Sequence, residues 1–113
     1  MPRMPIIARE TTITAAKARL LVEVLSAFEQ HEHRYCLMHG YAGFPDSIPS
    51  DVDLISLNPR CIPAILRASG VANVVQVLEH EDGALFYVLH KVLHKEESGL
   101  PVFLHLEDRK SVV

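Results

Sequence analysis

Asp51 and Asp53, separated only by Val52, are the residues of this 113-residue chain whose types and spacing most plainly suit chemistry. The segment from Asp51 to Leu57 reads as a strand, and in a strand residues two apart point to the same face. The two carboxylates then project side by side, with backbones roughly 7 Å apart. Like charges held that close favour a proton or a cation between them. A hard divalent cation suits the position. Magnesium takes oxygen ligands, keeps several waters, and binds through one or two carboxylates together with substrate phosphates. The same Asp-x-Asp pattern also occurs on solvated strand faces, so its surroundings carry the weight.

Those surroundings place the pair at the mouth of an apolar strand. Upstream, Tyr35-Cys36-Leu37-Met38-His39 is a short apolar run ending at Gly40, which predicts a buried strand. Residues 41–50 follow, with Gly43, Pro45, Asp46, Pro49 and Ser50, and read as a loop. Before them, Ala16, Leu20, Leu21, Val24, Leu25 and Phe28 recur at helical spacing. They predict a helix from about Thr12 or Thr14, either of which suits a cap, to about Gln30. Residues 1–11 read as a loose lead-in.

Downstream, Asn58-Pro59 predicts a helix start and Gly70 its stop, with Pro63 weakening or delaying the first turn. Val71 to Glu79 and Ala84 to Leu93 read as strands joined at Asp82-Gly83, a favourable hairpin turn. Gly99 and Pro101 mark another turn, and Val102 to Glu107 reads as the last strand. The expected fold is one α+β domain spanning 1–113, a mixed or antiparallel central sheet with helices packed on one face.

Leu37-Met38-His39-Gly40, a gap of about ten, then Ser50-Asp51-Val52-Asp53-Leu54-Ile55 resembles the signature of the polymerase-beta-like nucleotidyltransferase superfamily. His39-Gly40-Tyr41 with Pro49-Ser50-Asp51-Val52-Asp53 resembles a small bacterial branch described as hypothetical nucleotidyltransferases. The resemblance implies a nucleotidyltransferase-like fold and magnesium-dependent transfer of a nucleoside monophosphate from a triphosphate to a hydroxyl or phosphate acceptor. It implies Asp51 and Asp53 as ligands to magnesium, with manganese an acceptable substitute. It implies Glu107 as a third carboxylate that binds metal and helps deprotonate the acceptor. Asp108 is the fallback, facing the other way if the strand continues. Gly40, with His39, Tyr41 and Ser50 around it, would form the nucleotide-binding loop, where a missing side chain lets backbone amides reach the triphosphate.

The sequence departs from the superfamily in two places. Tyr41 stands where a small residue is usual. The chain also stops soon after the last strand, short of the helices or further domain that members usually add. Truncation at Val113, homodimerisation or a separate helical partner chain would account for the shortfall. A catalytically inactive module of the same fold, used for nucleotide binding or protein–protein interaction, is the alternative.

The rest of the sequence narrows the classes. Hydrophobic residues make up 49%, charged residues 22%, and the net charge is -3. That balance does not suit a protein that coats nucleic acid. No apolar stretch nears the roughly 20 residues that span a bilayer. No targeting segment is read at the start, so a cytoplasmic location is expected. Cys36 and Cys61 read as reduced buried residues. His31-Glu32-His33 reads as a solvated helix end. His39 and His105 read as structural histidines near the site. Arg60, Arg67, Lys91, Lys95, Arg109 and Lys110 are candidate phosphate contacts, most of them facing solvent.

Overall fold

The computed structural model describes residues 6–39, 43–48, 51–92 and 101–109. In chain order it contains α1 (Ile6–Gln30), β1 (Tyr35–His39) and β2 (Val52–Ser56). A 3-10 turn (Pro59–Cys61) then leads into α2 (Ile62–Ser69), followed by β3 (Asn73–Glu79), β4 (Leu85–Val92) and β5 (Pro101–Asp108).

Helix α1 corrects the expected lead-in, because the chain is already helical at Ile6. No glycine or proline falls between Ile6 and Gln30, so nothing in the sequence obliges the helix to wait for a threonine. Thr14 lies inside the helix, where its carbonyl accepts the Ile48 N–H at 3.0 Å and ties the 43–48 turn to α1. Helix α2 starts later than Asn58, which makes no side-chain cap. Pro59 opens the 3-10 turn instead, and Pro63 falls in the first turn of α2, where a missing N–H leaves no acceptor unpaired. Gly70 ends the helix in the left-handed region at φ 68°, with its N–H on the Leu66 carbonyl.

The five strands form one mixed sheet in the order β1-β2-β5-β4-β3. β2 and β5 run parallel, and the other neighbours are antiparallel. Alternation then sorts the side chains. Val52, Leu54, Leu85, Tyr87, Leu89, Val102, Leu104 and Leu106 turn to one face and are buried. They join Leu20, Leu21, Val24 and Phe28 of α1 and Ile62, Ile65 and Leu66 of α2 in a single core. Each such side chain contributes about 1.5–3 kcal/mol on leaving water. The opposite face of the sheet carries no helix among the described residues.

Two burial expectations are corrected. β1 is an edge strand, with Cys36, Met38 and His39 exposed, because among the described residues it has a neighbouring strand on one side only. Both cysteines are free and exposed.

Candidate functional site

The strand register assembles the site. Asp53 of β2 is the partner of Glu107 in β5 on one side and of His39 in β1 on the other. Glu107 is in turn the partner of Phe86 in β4, and Phe86 of Leu78 in β3. One row therefore crosses the whole sheet as His39, Asp53, Glu107, Phe86, Leu78. It lies on the face away from the helices, since Val52, Leu54 and Leu106, their chain neighbours, point into the core. Asp51 sits one step back along the same face, beside β5.

Basic groups of the same chain meet these carboxylates. One guanidinium nitrogen of Arg109 lies 3.2 Å from Asp53 Oδ2 and 3.7 Å from Glu107 Oε2. The Arg109 backbone N–H donates to the Leu54 carbonyl at 2.8 Å, which fixes where that side chain starts. His105 Nδ1 lies 3.3 Å from Asp51 Oδ1. The His105 ring also meets the edge of Phe86, with centroids 5.5 Å apart. The Asp53 side chain is 15% exposed, whereas those of Asp51 and Arg109 are 57% and 52% exposed. The inner carboxylate is thus held in place while its neighbours reach into water.

The structure sets Asp53 and Glu107 side by side, with Asp51 farther back on the same face, and places His39 in the next strand of the same row. Gly40, Tyr41 and Ser50 lie outside the described residues, as do Lys95 and Lys110. Of the other candidate phosphate contacts, Arg60 pairs with Glu79 and Lys91 with Glu23, away from the acidic row. His39 is exposed rather than a buried structural residue. Among the described residues, no three of His, Cys, Asp and Glu converge as one ready metal cage. The fit to a cation is partial. Asp53 and Glu107 share one positive group, that of Arg109, and Asp51 stands apart on His105.

A second polar set lies behind this row, on the core face. Asp108 falls between Glu107 and Arg109 in sequence, and alternation turns it inward, where it is 1% exposed. Its Oδ1 accepts the Ser56 backbone N–H at 3.0 Å, while its Oδ2 has no hydrogen-bond partner among the described residues. Nε2 of His33 lies 3.0 Å from Ser56 Oγ. Burial pushes the Asp108 carboxyl above its ordinary range, against the opposing pull of Ser56's hydrogen bonding and of His33. Burial likewise pushes His33 down, against the field of Asp108. His33 is therefore no solvated helix end. The chain turns at Glu32, with φ 54°, and drops the imidazole under β2, against Phe28 with centroids 4.7 Å apart.

Sequence reasoning passed over Arg109 as one surface cation among six. Its signal was present, since it stands two residues after Glu107 and so on the same face. No family model, no curated protein and no solved structure matches this chain.

Proposed function

We propose that the acidic row binds a divalent cation together with a nucleoside triphosphate, and that the chain transfers the nucleotidyl group to a hydroxyl or phosphate acceptor. The observation that carries this reading is the side-by-side register of Asp53 and Glu107, with Asp51 on the same face. In the transfer, an acceptor oxygen bonds to the α-phosphorus, the bond to the bridging oxygen breaks, and pyrophosphate leaves with that electron pair. Magnesium, when bound, would neutralise charge on the phosphate oxygens. Asp51, Asp53 and Glu107 would hold it, and Glu107 would take the acceptor's proton. Arg109 is exposed enough to turn aside for the ion, and Asp51 is exposed enough to turn toward it. Arg109 would then face the incoming phosphates as a forked donor.

Isothermal titration with magnesium and a nucleoside triphosphate tests the reading. Binding that needs the metal, and that is lost in the Asp51→Asn, Asp53→Asn double variant, is the expected result. Unmutated protein that shows no metal-dependent binding overturns it.

Arg109 also favours a second reading, a binding module without turnover. An arginine that already neutralises two of the three carboxylates leaves less charge for a pair of metal ions. Metal-dependent nucleotide binding with no pyrophosphate release, over a panel of hydroxyl and phosphate acceptors, would select the module over the transferase.

A further inference from the structure

His33, Ser56 and Asp108 are buried, and none of them takes part in the proposed transfer. Ser56 and Asp108 meet at the end of the β2–β5 ladder. The two strands run parallel, with Val52, Asp53 and Leu54 opposite Leu106, Glu107 and Asp108. In a parallel pair, a bonded residue donates to and accepts from the two residues that flank its partner, so the rungs are evenly spaced. Leu54 follows that rule, its carbonyl accepting the Arg109 N–H at 2.8 Å. The next rung of such a ladder runs from the Ser56 N–H to the Arg109 carbonyl. Here it runs to Asp108 Oδ1 instead, at 3.0 Å. The side chain of Asp108 thus stands in for the main chain of Arg109, and β5 ends at Asp108. Ser56 is also held through its hydroxyl, whose Oγ lies 3.0 Å from His33 Nε2. The arrangement costs the desolvation of Asp108 Oδ2, which an apolar side chain would not incur.

We propose that Asp108 is the positioning residue for Arg109, and that the buried polar set thereby governs how far the acidic row is closed to a cation. By taking the rung, Asp108 frees the Arg109 carbonyl from the sheet while the Arg109 N–H stays tied to Leu54. The arginine side chain then starts just past the last paired residue. From there its guanidinium folds back over Asp53 at 3.2 Å and Glu107 at 3.7 Å. That side chain is half exposed, and exposed ion pairs are weak, so the point where its backbone is anchored decides how firmly it covers the two acids. Asp53 and Glu107 are placed separately, by the core packing of their neighbours Val52, Leu54 and Leu106. Asp108 therefore acts on the row through the arginine. The effect on a cation rests on the metal reading of the row, whereas the substituted rung does not.

The test compares Asp108→Leu, which removes the acceptor and keeps the branched shape, with Asp108→Asn, which keeps a carbonyl oxygen for the Ser56 N–H. Amide hydrogen exchange by nuclear magnetic resonance reads the rung without any metal. The Arg109 amide is expected to be protected in the parent and in Asp108→Asn, and to exchange several-fold faster in Asp108→Leu. The amides of β4 are expected to keep their parent rates, which separates a local release from a general loosening. Titration of manganese by electron paramagnetic resonance reads the consequence. Asp108→Leu is expected to bind the ion more tightly than the parent, by roughly the 1.4- to five-fold that an exposed ion pair represents. Asp108→Asn is expected to match the parent. In an Arg109→Gln background, Asp108→Leu is expected to add nothing, because both changes remove the same contact. A merely structural role has the opposite sign, since a frayed β5 would loosen Glu107 and weaken the ion. Manganese binding that is weaker or unchanged in Asp108→Leu overturns the proposal, as do gains that add in the double variant. So does an Arg109 amide that exchanges alike in Asp108→Leu and the parent, or one that speeds up only together with β4. A parent that binds no manganese overturns the metal reading instead, and hydrogen exchange then decides whether Asp108 anchors Arg109.

Discussion

Asp53 and Glu107 stand side by side in the parallel pairing of β2 and β5, and the guanidinium of Arg109 contacts both carboxylates. Two acids on neighbouring strands repel unless something positive lies between them, and the chain supplies that positive group itself.

Arg109 is therefore expected to compete with any cation the row binds. Exposed ion pairs contribute about 0.2–1 kcal/mol, so Arg109→Gln is expected to tighten manganese binding by roughly 1.4- to five-fold. Titration of free manganese by electron paramagnetic resonance reads this directly. Weaker binding in the variant would show that the arginine helps the ion rather than opposing it.

Asp108 carries a pH dependence of stability. Burial raises its carboxyl above the ordinary 3.8, so the folded chain holds that proton more tightly than the unfolded one. Its contribution is whole below the unfolded value and is lost as pH rises through the folded one. Asp108→Asn keeps an acceptor for the Ser56 N–H and has no charge to lose. The variant's Tm relative to the parent is thus expected to climb as pH rises above the ordinary carboxyl range. A flat difference would mean that Asp108 stays ionised in the fold. His33 acts in the opposite sense. Its pKa is pushed down from 6.5, so its contribution is present above that pH and fades as pH falls.

Tyr87 is buried and donates its hydroxyl to the Pro59 carbonyl at 2.7 Å, tying the central sheet to the turn before α2. Burial, reinforced by Asp108, pushes the phenol up to about 12. Its contribution to stability is intact below pH 10 and is lost as pH rises toward 12. Alkaline spectrophotometric titration is expected to show a late phenol that vanishes in Tyr87→Phe. The same substitution is expected to lower stability by about 1 kcal/mol in urea denaturation.

Leu54 is fully buried between the site and α1, whereas Leu57, three residues on, is 69% exposed. Leu54→Ala is expected to cost about 2–5 kcal/mol. Leu57→Ala is expected to stay within about 0.5 kcal/mol of the parent. Paired urea melts check the contrast, and equal losses would mean that Leu57 is covered in solution.

The strands were legible because each apolar run is short and bounded by glycine, proline or a polar turn. The Asp82-Gly83 hairpin and the Gly70 stop fall where the sequence placed them. Phe103, His105 and Glu107 were readable as one face of a strand, and β5 separates them from buried Val102, Leu104 and Leu106. The start of α1 was not legible, because a run of helix-tolerant residues gives no boundary. The exposure of β1 was hidden for another reason. Whether an apolar strand is central or at an edge depends on strand order, and local pattern does not encode that order. The inward placement of His33 and Asp108 is hidden for the same reason. Their partners lie 23 and 52 residues away at Ser56.

The placement of β5 has a consequence for how the chain assembles. It is the last of the five strands in sequence and the middle one in space. Until residues 101–108 leave the ribosome, β1–β2 and β3–β4 are two separate pairs with raw inner edges. Assembly then waits on contacts distant in sequence, which form slowly and leave apolar strands open to misassociation. A nascent chain arrested before residue 101 is the species a chaperone would meet, and it would have Asp51 and Asp53 without Glu107 or Arg109.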